Sequence, residues 1–292
     1  MDVRVRHAGI SLTAGLCGCL PHRTAMGMAE RTGDAFWRCS DRDRRVVSGN
    51  LGVIGGLAVD GWAPAVREVF RNFGRYLVEF FSFHRLGPPD VTVSGAEHLQ
   101  AAGAGHRGVI VLTGHVGNWE LGAVLLRRMG FPVSAVALTH GHAPTDRLFN
   151  RQRERGGVEV IPLGRGAERA CMRALHAGHL LGLVGDRTYT DRGLEVSLFG
   201  RRLSLPSGPA ILAARSGAPV VPVFLVREGV WAFTLRVGAP LWAASTGKED
   251  AIIDLMQSYA AVLEDVVRRT PSQWLMFQPA GEAGRPMAGL AG

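Results

Sequence analysis

Cysteine is scarce in this sequence, with four residues among 292. None of the four belongs to a Cys-x-x-Cys pair, and three of them, Cys17, Cys19 and Cys39, lie near the beginning. A disulfide framework is typical of small, cysteine-dense chains, and a zinc ribbon needs closely paired cysteines. Neither pattern is present, so a reducing cytoplasm is the expected setting.

Long hydrophobic runs are also absent. No stretch of about 18 consecutive apolar residues occurs, so no transmembrane helix is predicted and any membrane association should be peripheral. Residues 8–20 follow a basic start and superficially resemble a secretion signal, but no small-x-small cleavage site comes after them. We expect this run to form either a helix on a membrane surface or an ordinary buried helix.

Acidic residues are outnumbered by basic ones. The chain has 33 Lys plus Arg against 25 Asp plus Glu, a formal net charge of +8. Such a charge favours anionic partners, among them nucleic acid, anionic lipid and acidic carrier molecules. Zinc-finger spacing, an RNP aromatic block and a Walker loop are all missing, so no nucleic-acid partner is expected and an anionic membrane surface is favoured.

An amphipathic helix is predicted over residues 64–86. Apolar residues recur there at helical spacing, while Arg67, Arg71 and Arg75 recur at every fourth position elsewhere on the cylinder. A core-packing helix with a solvated basic face is favoured over direct bilayer contact. Residues 1–87 are therefore expected to form a helical, membrane-proximal extension, joined in one compact unit to an α/β domain over residues 88–292.

After residue 88, short apolar runs alternate with helical stretches. The predicted strands are Val91–Val93, Val109–Thr113, Val133–Leu138, Val158–Leu163, Leu180–Val184, Leu194–Phe199, Val220–Val226 and Ala232–Val237. The predicted helices are Trp119–Met129, Thr145–Glu154, Ala167–Ala177, Gly208–Arg215 and Glu249–Arg268. This alternation predicts an α/β fold with a mostly parallel central sheet flanked by helices. Functional sites in such folds gather at the carboxyl ends of the strands.

The stretch TGHVGNWE, residues 113–120, follows a buried strand and carries the best candidate chemistry. Asn118 is a good N-cap for the next helix, and Gly117 allows a bend before it. With that bend, the Glu120 carboxylate is expected to reach back and orient the His115 imidazole, which then takes a proton from an acceptor hydroxyl in acyl transfer. The structural alternative is that Glu120 only complements the helix dipole, and that His115 is a loop histidine with its hydrogen bonds satisfied.

Residues 114–122, GHVGNWELG, resemble the His-x4-Asp/Glu block of the lipid A biosynthesis lauroyl and myristoyl acyltransferases. The family includes the phosphatidylinositol mannoside acyltransferases and belongs to a lysophospholipid acyltransferase-like superfamily. Further blocks that resemble the family follow in order at Asn150–Arg153, Gly185–Arg187, Phe199–Arg201, Pro206–Ala210 and Gln273–Leu275. The resemblance therefore runs from residue 114 to residue 275.

The resemblance implies an O-acyltransferase without metal or other cofactor. The acyl group would come from an acyl carrier protein or coenzyme A thioester and go to a glycolipid hydroxyl, on a lipid A precursor or a phosphatidylinositol-mannoside-like acceptor. It implies that His115 is the general base with Glu120 as its partner. It also implies a peripheral place at the cytoplasmic face of the inner membrane.

Six residues are expected to contact substrate. They are Gly117, Asn118, Arg153, Asp186, Arg187 and Glu195. Arg153 is assigned through the family resemblance. A shift of two residues in the alignment would assign Arg151 or Arg155 in its place. Glu195 falls on the strand face opposite the apolar one, where it faces either solvent or the site, and the site is favoured.

A zinc-dependent hydrolase is the alternative. His140, His142 and Asp146 follow a predicted strand and imitate a His-x-His-x-Asp-His metal segment. A catalytic zinc needs several correctly spaced ligands. The aspartate lies four residues after the second histidine and the adjoining histidine is missing, so metal-free acyl transfer is favoured.

Overall fold

Three helices open the described part of the chain. The computed structural model describes Gly15 and residues 20–55, 63–105, 107–138, 143–188, 193–243 and 249–280. The helices are α1 (His22–Cys39), α2 (Asp41–Val53) and α3 (Ala63–Ser82). Most of the apolar run at residues 8–20 lies outside the described residues.

Helix α3 is the amphipathic helix that the sequence predicts at residues 64–86. Its apolar face packs into the core, where Phe70 and Phe80 are completely buried. The arginine stripe differs from the expected solvated face, because Arg67 and Arg71 both bind the Asp34 carboxylate of α1. Ion pairs therefore lock α3 against α1.

Nine strands occur in the described residues, and the central sheet positions the site. They are β1 (Asp90–Ser94), β2 (Val109–Thr113), β3 (Val133–Ala137), β4 (Glu159–Pro162), β5 (Leu180–Val184), β6 (Gly193–Leu198), β7 (Arg201–Pro206), β8 (Val220–Gly229) and β9 (Ala232–Val237). Seven of them form one sheet in the order β1-β9-β8-β2-β5-β3-β4, while β6 and β7 make a separate antiparallel pair. The five strands from β8 to β4 are parallel, and β9 runs antiparallel to β8.

Helices connect and cover these strands. They are α4 (Ala96–Gly103), α5 (Trp119–Arg128), α6 (Ala143–Arg155), α7 (Ala167–His176), α8 (Gly208–Ser216) and α9 (Glu249–Arg269), and a short 3-10 helix follows at Pro271–Gln273. The predicted fold class, a mostly parallel sheet with helices and an N-terminal helical part, is confirmed. Within the described ranges, no helix combines the length and apolar character needed to cross a bilayer.

The N-terminal helices and the sheet share one hydrophobic core. Side chains of α1, α3 and the central strands belong to the same buried cluster. The domain boundary expected at residue 87 falls in the connection between α3 and β1. The extension therefore packs directly against the layer that carries the site.

Candidate active site

The register of two neighbouring strands brings a histidine and an aspartate together. Strand β2 pairs in parallel with β5, and Thr113 lies opposite Val184 at their carboxyl ends. His115 and Asp186 each come two residues after those positions. The Gly185 N–H still donates to the Thr113 carbonyl at 2.7 Å, so the strands stay together up to the site.

The Asp186 carboxylate is completely buried and accepts three hydrogen bonds. Its Oδ1 accepts from His115 Nδ1 at 2.7 Å. Its Oδ2 accepts from the His115 backbone N–H at 2.8 Å and from the Trp274 indole Nε1–H at 3.0 Å. These bonds fix both the position of the carboxylate and the plane in which it meets the imidazole.

These contacts determine the charge of Asp186 and the tautomer of His115. Burial alone would raise the pKa of Asp186, but the facing His115 and the hydrogen bonds from His115 and Trp274 outweigh burial and lower it. An ionised carboxylate can only accept, so His115 Nδ1 carries the shared proton. In the neutral ring Nε2 then keeps its lone pair, which is the state a general base requires.

The carboxylate beside the imidazole is not the one that the sequence-based prediction named. Glu120 instead pairs with Arg153 of α6, through Nε to Oε2 at 2.8 Å and through Nη2 to Oε1. Because α5 begins at Trp119, Glu120 is already fixed on the helix, where its carboxylate meets α6. The orienting contact expected from Glu120 is therefore corrected to Asp186, while participation of Glu120 in catalysis stays a prediction.

Of the three candidate arginines in α6, Arg153 is the one that binds the Glu120 carboxylate. Its side chain is buried, whereas Arg151 and Arg155 are exposed. Its third nitrogen, Nη1, donates to Asn150 Oδ1 at 2.8 Å. Burial works against the charged form, but the Glu120 carboxylate more than compensates and raises the pKa of Arg153. The Glu120–Arg153 pair thus ties the start of α5 to α6.

One aromatic ring contacts the imidazole, and a second ring stacks on the first. The Trp119 ring meets His115 edge to face with centroids 4.8 Å apart, and Tyr76 of α3 stacks on Trp119 at 4.5 Å. Burial and the nearby Glu120 raise the pKa of Tyr76 well above its usual range, so its hydroxyl stays protonated. No sequence pattern singled out Tyr76, because it lies in the N-terminal helices far along the chain from the recognised motifs.

Gly117 and Asn118 shape the bend before α5. Gly117 has φ +63, and a Cβ there would overlap the Leu225 carbonyl oxygen. The Asn118 side chain is fully buried; its Oδ1 accepts from the Leu121 N–H at 3.1 Å, and its Nδ2 donates to Glu79 Oε2 at 2.9 Å. Both residues hold the loop in place through these contacts, and their expected binding of substrate stays a prediction.

The two remaining predicted residues differ in position. Arg187 follows Asp186 directly and is partly buried at the site edge. Glu195 is exposed and pairs with Arg202 across the β6–β7 hairpin at 2.7 Å. The expectation that Glu195 faces the site is corrected, because β6 turns its apolar alternate residues inward and leaves this carboxylate in solvent.

The segment after α9 holds the histidine loop from the other side. The Leu275 N–H donates to the His115 carbonyl at 2.7 Å, and the Gly117 N–H donates to the Gln273 carbonyl at 3.0 Å. The block Gln273–Leu275 was recognised in the sequence, but no role was assigned to it. Its function as a brace is visible only once residues distant in sequence are placed together.

The described part of the chain contains no assembled metal-binding site. No group of three or more His, Cys, Asp or Glu side chains able to hold an ion occurs there. His140 and His142, on which the zinc alternative depends, lie outside the described residues.

Comparisons with known proteins find similar sequences over most of the chain. Residues 5–280 match the sequence model of a family described as bacterial lipid A biosynthesis acyltransferase. A phosphatidylinositol mannoside acyltransferase of Mycolicibacterium smegmatis is 30% identical over 236 residues, covering 78% of this chain and 75% of that protein. Its counterpart from Mycobacterium tuberculosis (strain ATCC 25618 / H37Rv) is 29% identical over 227 residues, covering 74% and 70%.

A second kind of relative is more distant. The lipid A biosynthesis palmitoleoyltransferase of Escherichia coli (strain K12) is 26% identical over 234 residues, covering 75% of this chain and 73% of that protein. None of the proteins named here is a zinc hydrolase.

Proposed function

Because this chain belongs to the bacterial lipid A biosynthesis acyltransferase family, and is therefore an acyltransferase, we propose that it acylates a glycolipid hydroxyl from a thioester donor. The donor is an acyl carrier protein or coenzyme A thioester, and the acceptor is a phosphatidylinositol-mannoside-like lipid or a lipid A precursor. The observation that carries the proposal is the His115 imidazole, held through Nδ1 by buried Asp186.

The transfer step follows from the tautomer of the imidazole. His115 Nε2 removes the proton from the acceptor hydroxyl as the oxygen attacks the thioester carbonyl carbon. The carbon–sulfur bond then breaks, and the thiolate takes the proton back from the imidazolium to leave as a thiol. The buried Asp186 carboxylate stabilises the imidazolium in between, much as the aspartate of a serine hydrolase triad does.

The residues around His115 provide stabilisation of the oxyanion for this step. The amino-terminal end of α5 lies just after the His115 loop, and its partial positive charge suits the oxyanion that forms on the carbonyl. The Glu120–Arg153 pair holds that end of α5 in place. No side chain is needed as a covalent nucleophile, since the acceptor attacks directly.

The acceptor class is supported by the names of the relatives and by charge. The mannoside acyltransferases share 29–30% of their aligned residues with this chain and the lipid A enzyme shares 26%, which favours a mannoside-like acceptor. The net charge of +8 suits a peripheral place on the anionic cytoplasmic leaflet.

The decisive experiment measures transfer with defined substrates. Purified protein is incubated with radiolabelled palmitoyl-coenzyme A or palmitoyl-acyl carrier protein, and with phosphatidylinositol mannoside or a lipid A precursor, and the acylated lipid is counted. We expect transfer by the wild type and loss of it in His115→Ala. His176→Ala, which removes an exposed histidine at the end of α7, serves as the matched control and should keep full activity.

Two outcomes contradict the proposal. Wild-type turnover by His115→Ala would remove the imidazole from the reaction. Inhibition by a chelator that zinc reverses would favour the hydrolase alternative instead.

A further inference from the structure

A buried ion pair lies behind the active-site loop, outside the residues that the motifs identify. Glu79 of α3 is completely buried, and Arg227 of β8 is nearly so. The guanidinium binds the carboxylate through two nitrogens, Nε to Oε1 and Nη2 to Oε2, the second at 2.7 Å. Neither residue contacts the His115 ring, yet each is linked by hydrogen bonds to the loop that carries His115, Glu79 through Asn118 and Arg227 through Gln273.

The first chain of contacts runs through Asn118. Glu79 Oε2 accepts from Asn118 Nδ2 at 2.9 Å, which turns the amide so that its Oδ1 caps α5 at the Leu121 N–H. The Asn118 backbone N–H is held by the Leu225 carbonyl at 2.9 Å. The orientation of this one amide therefore fixes where α5 begins and how the chain leaves His115.

The second chain runs through Gln273. Its side chain accepts from the Arg227 backbone N–H at 2.9 Å and donates to the Arg227 carbonyl at 2.8 Å. The Gln273 carbonyl accepts from the Gly117 N–H, and the next residue, Trp274, donates to Asp186. These Gln273 contacts are made to the Arg227 backbone. The guanidinium reaches the same segment through Asn72 of α3, whose Oδ1 accepts from Arg227 Nη1 at 3.0 Å and whose Nδ2 donates to the Ser272 carbonyl at 2.9 Å.

We propose that the Glu79–Arg227 pair is a positioning element for the reaction: it sets the geometry of the His115–Asp186 pair from both sides, through Asn118 on one side and through Asn72 and the segment that carries Gln273 on the other. This inference rests on the proposed role of His115 as general base. It makes helix α3, which lies outside the recognised motifs, part of the catalytic apparatus. Glu79 and Arg227 act through other residues and do not touch substrate.

Stability alone is a weak reason for such a pair. Burying two charges is costly, and well-packed apolar residues of similar volume often serve a fold equally well. A bidentate arginine–carboxylate contact does supply fixed direction, which apolar packing lacks. Direction is what the Asn118 amide needs in order to cap α5 and hold the loop.

The test separates positioning from mere support of the fold. Glu79→Gln removes the charge, and Asp34→Asn removes another ion-paired carboxylate that holds α1 to α3 but has no contact with the His115 loop. Hydrolysis of palmitoyl-coenzyme A, with water in place of the acceptor, gives kcat and KM for each variant. The hydrogen-bonded His115 Nδ1 proton is followed by NMR, assigned by comparison with His115→Gln.

We expect Glu79→Gln to lower kcat by roughly 10- to 100-fold with little change in KM, because small misplacements of reacting groups have effects of that size. The downfield His115 Nδ1 signal should weaken or broaden. Asp34→Asn should keep both kcat and the signal even where it lowers the melting temperature. If Glu79→Gln unfolds, Glu79→Leu/Arg227→Met removes both charges with similar volume and should fold with the same kinetic defect.

Several outcomes would overturn the inference. Full turnover and an unchanged His115 signal in any folded Glu79 variant would show that the pair does not position the site. Failure of both Glu79 variants to fold would show a role in the fold itself. The NMR signal reports geometry without any turnover. If the wild type has no transferase activity but Glu79→Gln still loses the His115 signal, the result counts against the proposed function and not against this inference.

Discussion

Asp186 is the residue on which the geometry of the imidazole depends most directly. It binds both the side chain and the backbone of His115, and its second oxygen is shared with Trp274. A carboxylate enclosed in this way stabilises a facing imidazolium and selects the tautomer at the same time. Two substitutions test these two properties separately.

Replacement of Asp186 by asparagine keeps the shape of the side chain and removes its charge. We expect Asp186→Asn to lower kcat by about 10²- to 10⁴-fold, because the amide favours the wrong tautomer and leaves the imidazolium unstabilised. Steady-state transfer assays measure the effect. Glu195→Gln, which neutralises an exposed carboxylate, should leave kcat unchanged, and equal activity of both variants would refute the role of Asp186.

Trp274→Phe removes the indole donor to Asp186. A hydrogen bond to a charged group is worth about 1.5–3 kcal/mol, so the free energy of unfolding at pH 7 should fall by that amount in addition to the loss from packing. The pKa of Asp186 is lower in the folded protein than in the unfolded chain, where it is about 3.9. The charged carboxylate therefore stabilises the fold above about pH 3.9, and this stabilisation is lost as the pH falls from there through the folded pKa. The difference between variant and wild type should therefore shrink on acidification.

Urea denaturation at a series of pH values checks this expectation. Trp242→Phe alters an exposed tryptophan and should have little effect at any pH. A destabilisation by Trp274→Phe that is the same at every pH would mean that the indole contributes only packing.

The residue that sequence reasoning misassigned shows what sequence order hides. Glu120 is near His115 along the chain, whereas Asp186 is 71 residues away. Only the pairing of β2 with β5 brings Asp186 close, and strand order is not written in any local pattern. His115 itself was predictable, because a histidine after a buried strand falls at the carboxyl edge whatever the order of strands.

At the scale of elements, the bend between β2 and α5 is held by hydrogen bonds on two sides. The positive φ of Gly117 lets its N–H reach the Gln273 carbonyl while the next residue bonds to β8. The loop is thereby clamped between a strand of the sheet and the segment after α9.

Gly117→Ala should break this clamp. An L-residue in the left-handed region costs about 1–2 kcal/mol, and the added Cβ also overlaps the backbone of β8. We expect a loss of several kcal/mol in the free energy of unfolding and a strong loss of turnover. Gly178→Ala is the matched control, since Gly178 has φ +79 but open space around it and should show only the backbone strain. Equal losses in the two variants would contradict the clamp.

Element boundaries followed from sequence where apolar patterning was strong. The predicted limits of β2, β5 and β9 agree with the structure. Strand β7 was not predicted, because it begins with two adjacent arginines directly after a turn and has only two leucines before Pro206, too few for a clear strand pattern. Helix α4 was also missed, since eight residues give too short a periodic pattern to recognise.

On the scale of the whole molecule, the chain combines one shared core with an excess of positive charge. The helices α1 and α3 pack into the same cluster as the sheet, so the site receives residues from both parts. The net charge of +8 acts over the molecule as a whole and favours anionic surfaces. The sequence predicts one compact unit with a core-packing helix at residues 64–86, but it does not show which residues of that helix lie near the site.

Binding to anionic vesicles should depend on salt. We expect the protein to sediment with vesicles that contain anionic phospholipid and to remain in solution with pure phosphatidylcholine vesicles. Raising the ionic strength from 0.1 M to 1 M shortens the Debye length from about 10 Å to about 3 Å, which should release the bound protein. Binding that ignores both lipid charge and salt would contradict an electrostatic attachment.

The brace formed by the segment after α9 has a consequence for biosynthesis. During translation, Gln273 and Trp274 leave the ribosome after His115 and Asp186. Until these two residues have emerged, Gly117 and the Asp186 carboxylate each lack one of the hydrogen bonds that hold them in their final positions. We therefore expect unfinished polypeptides to be inert toward thioesters.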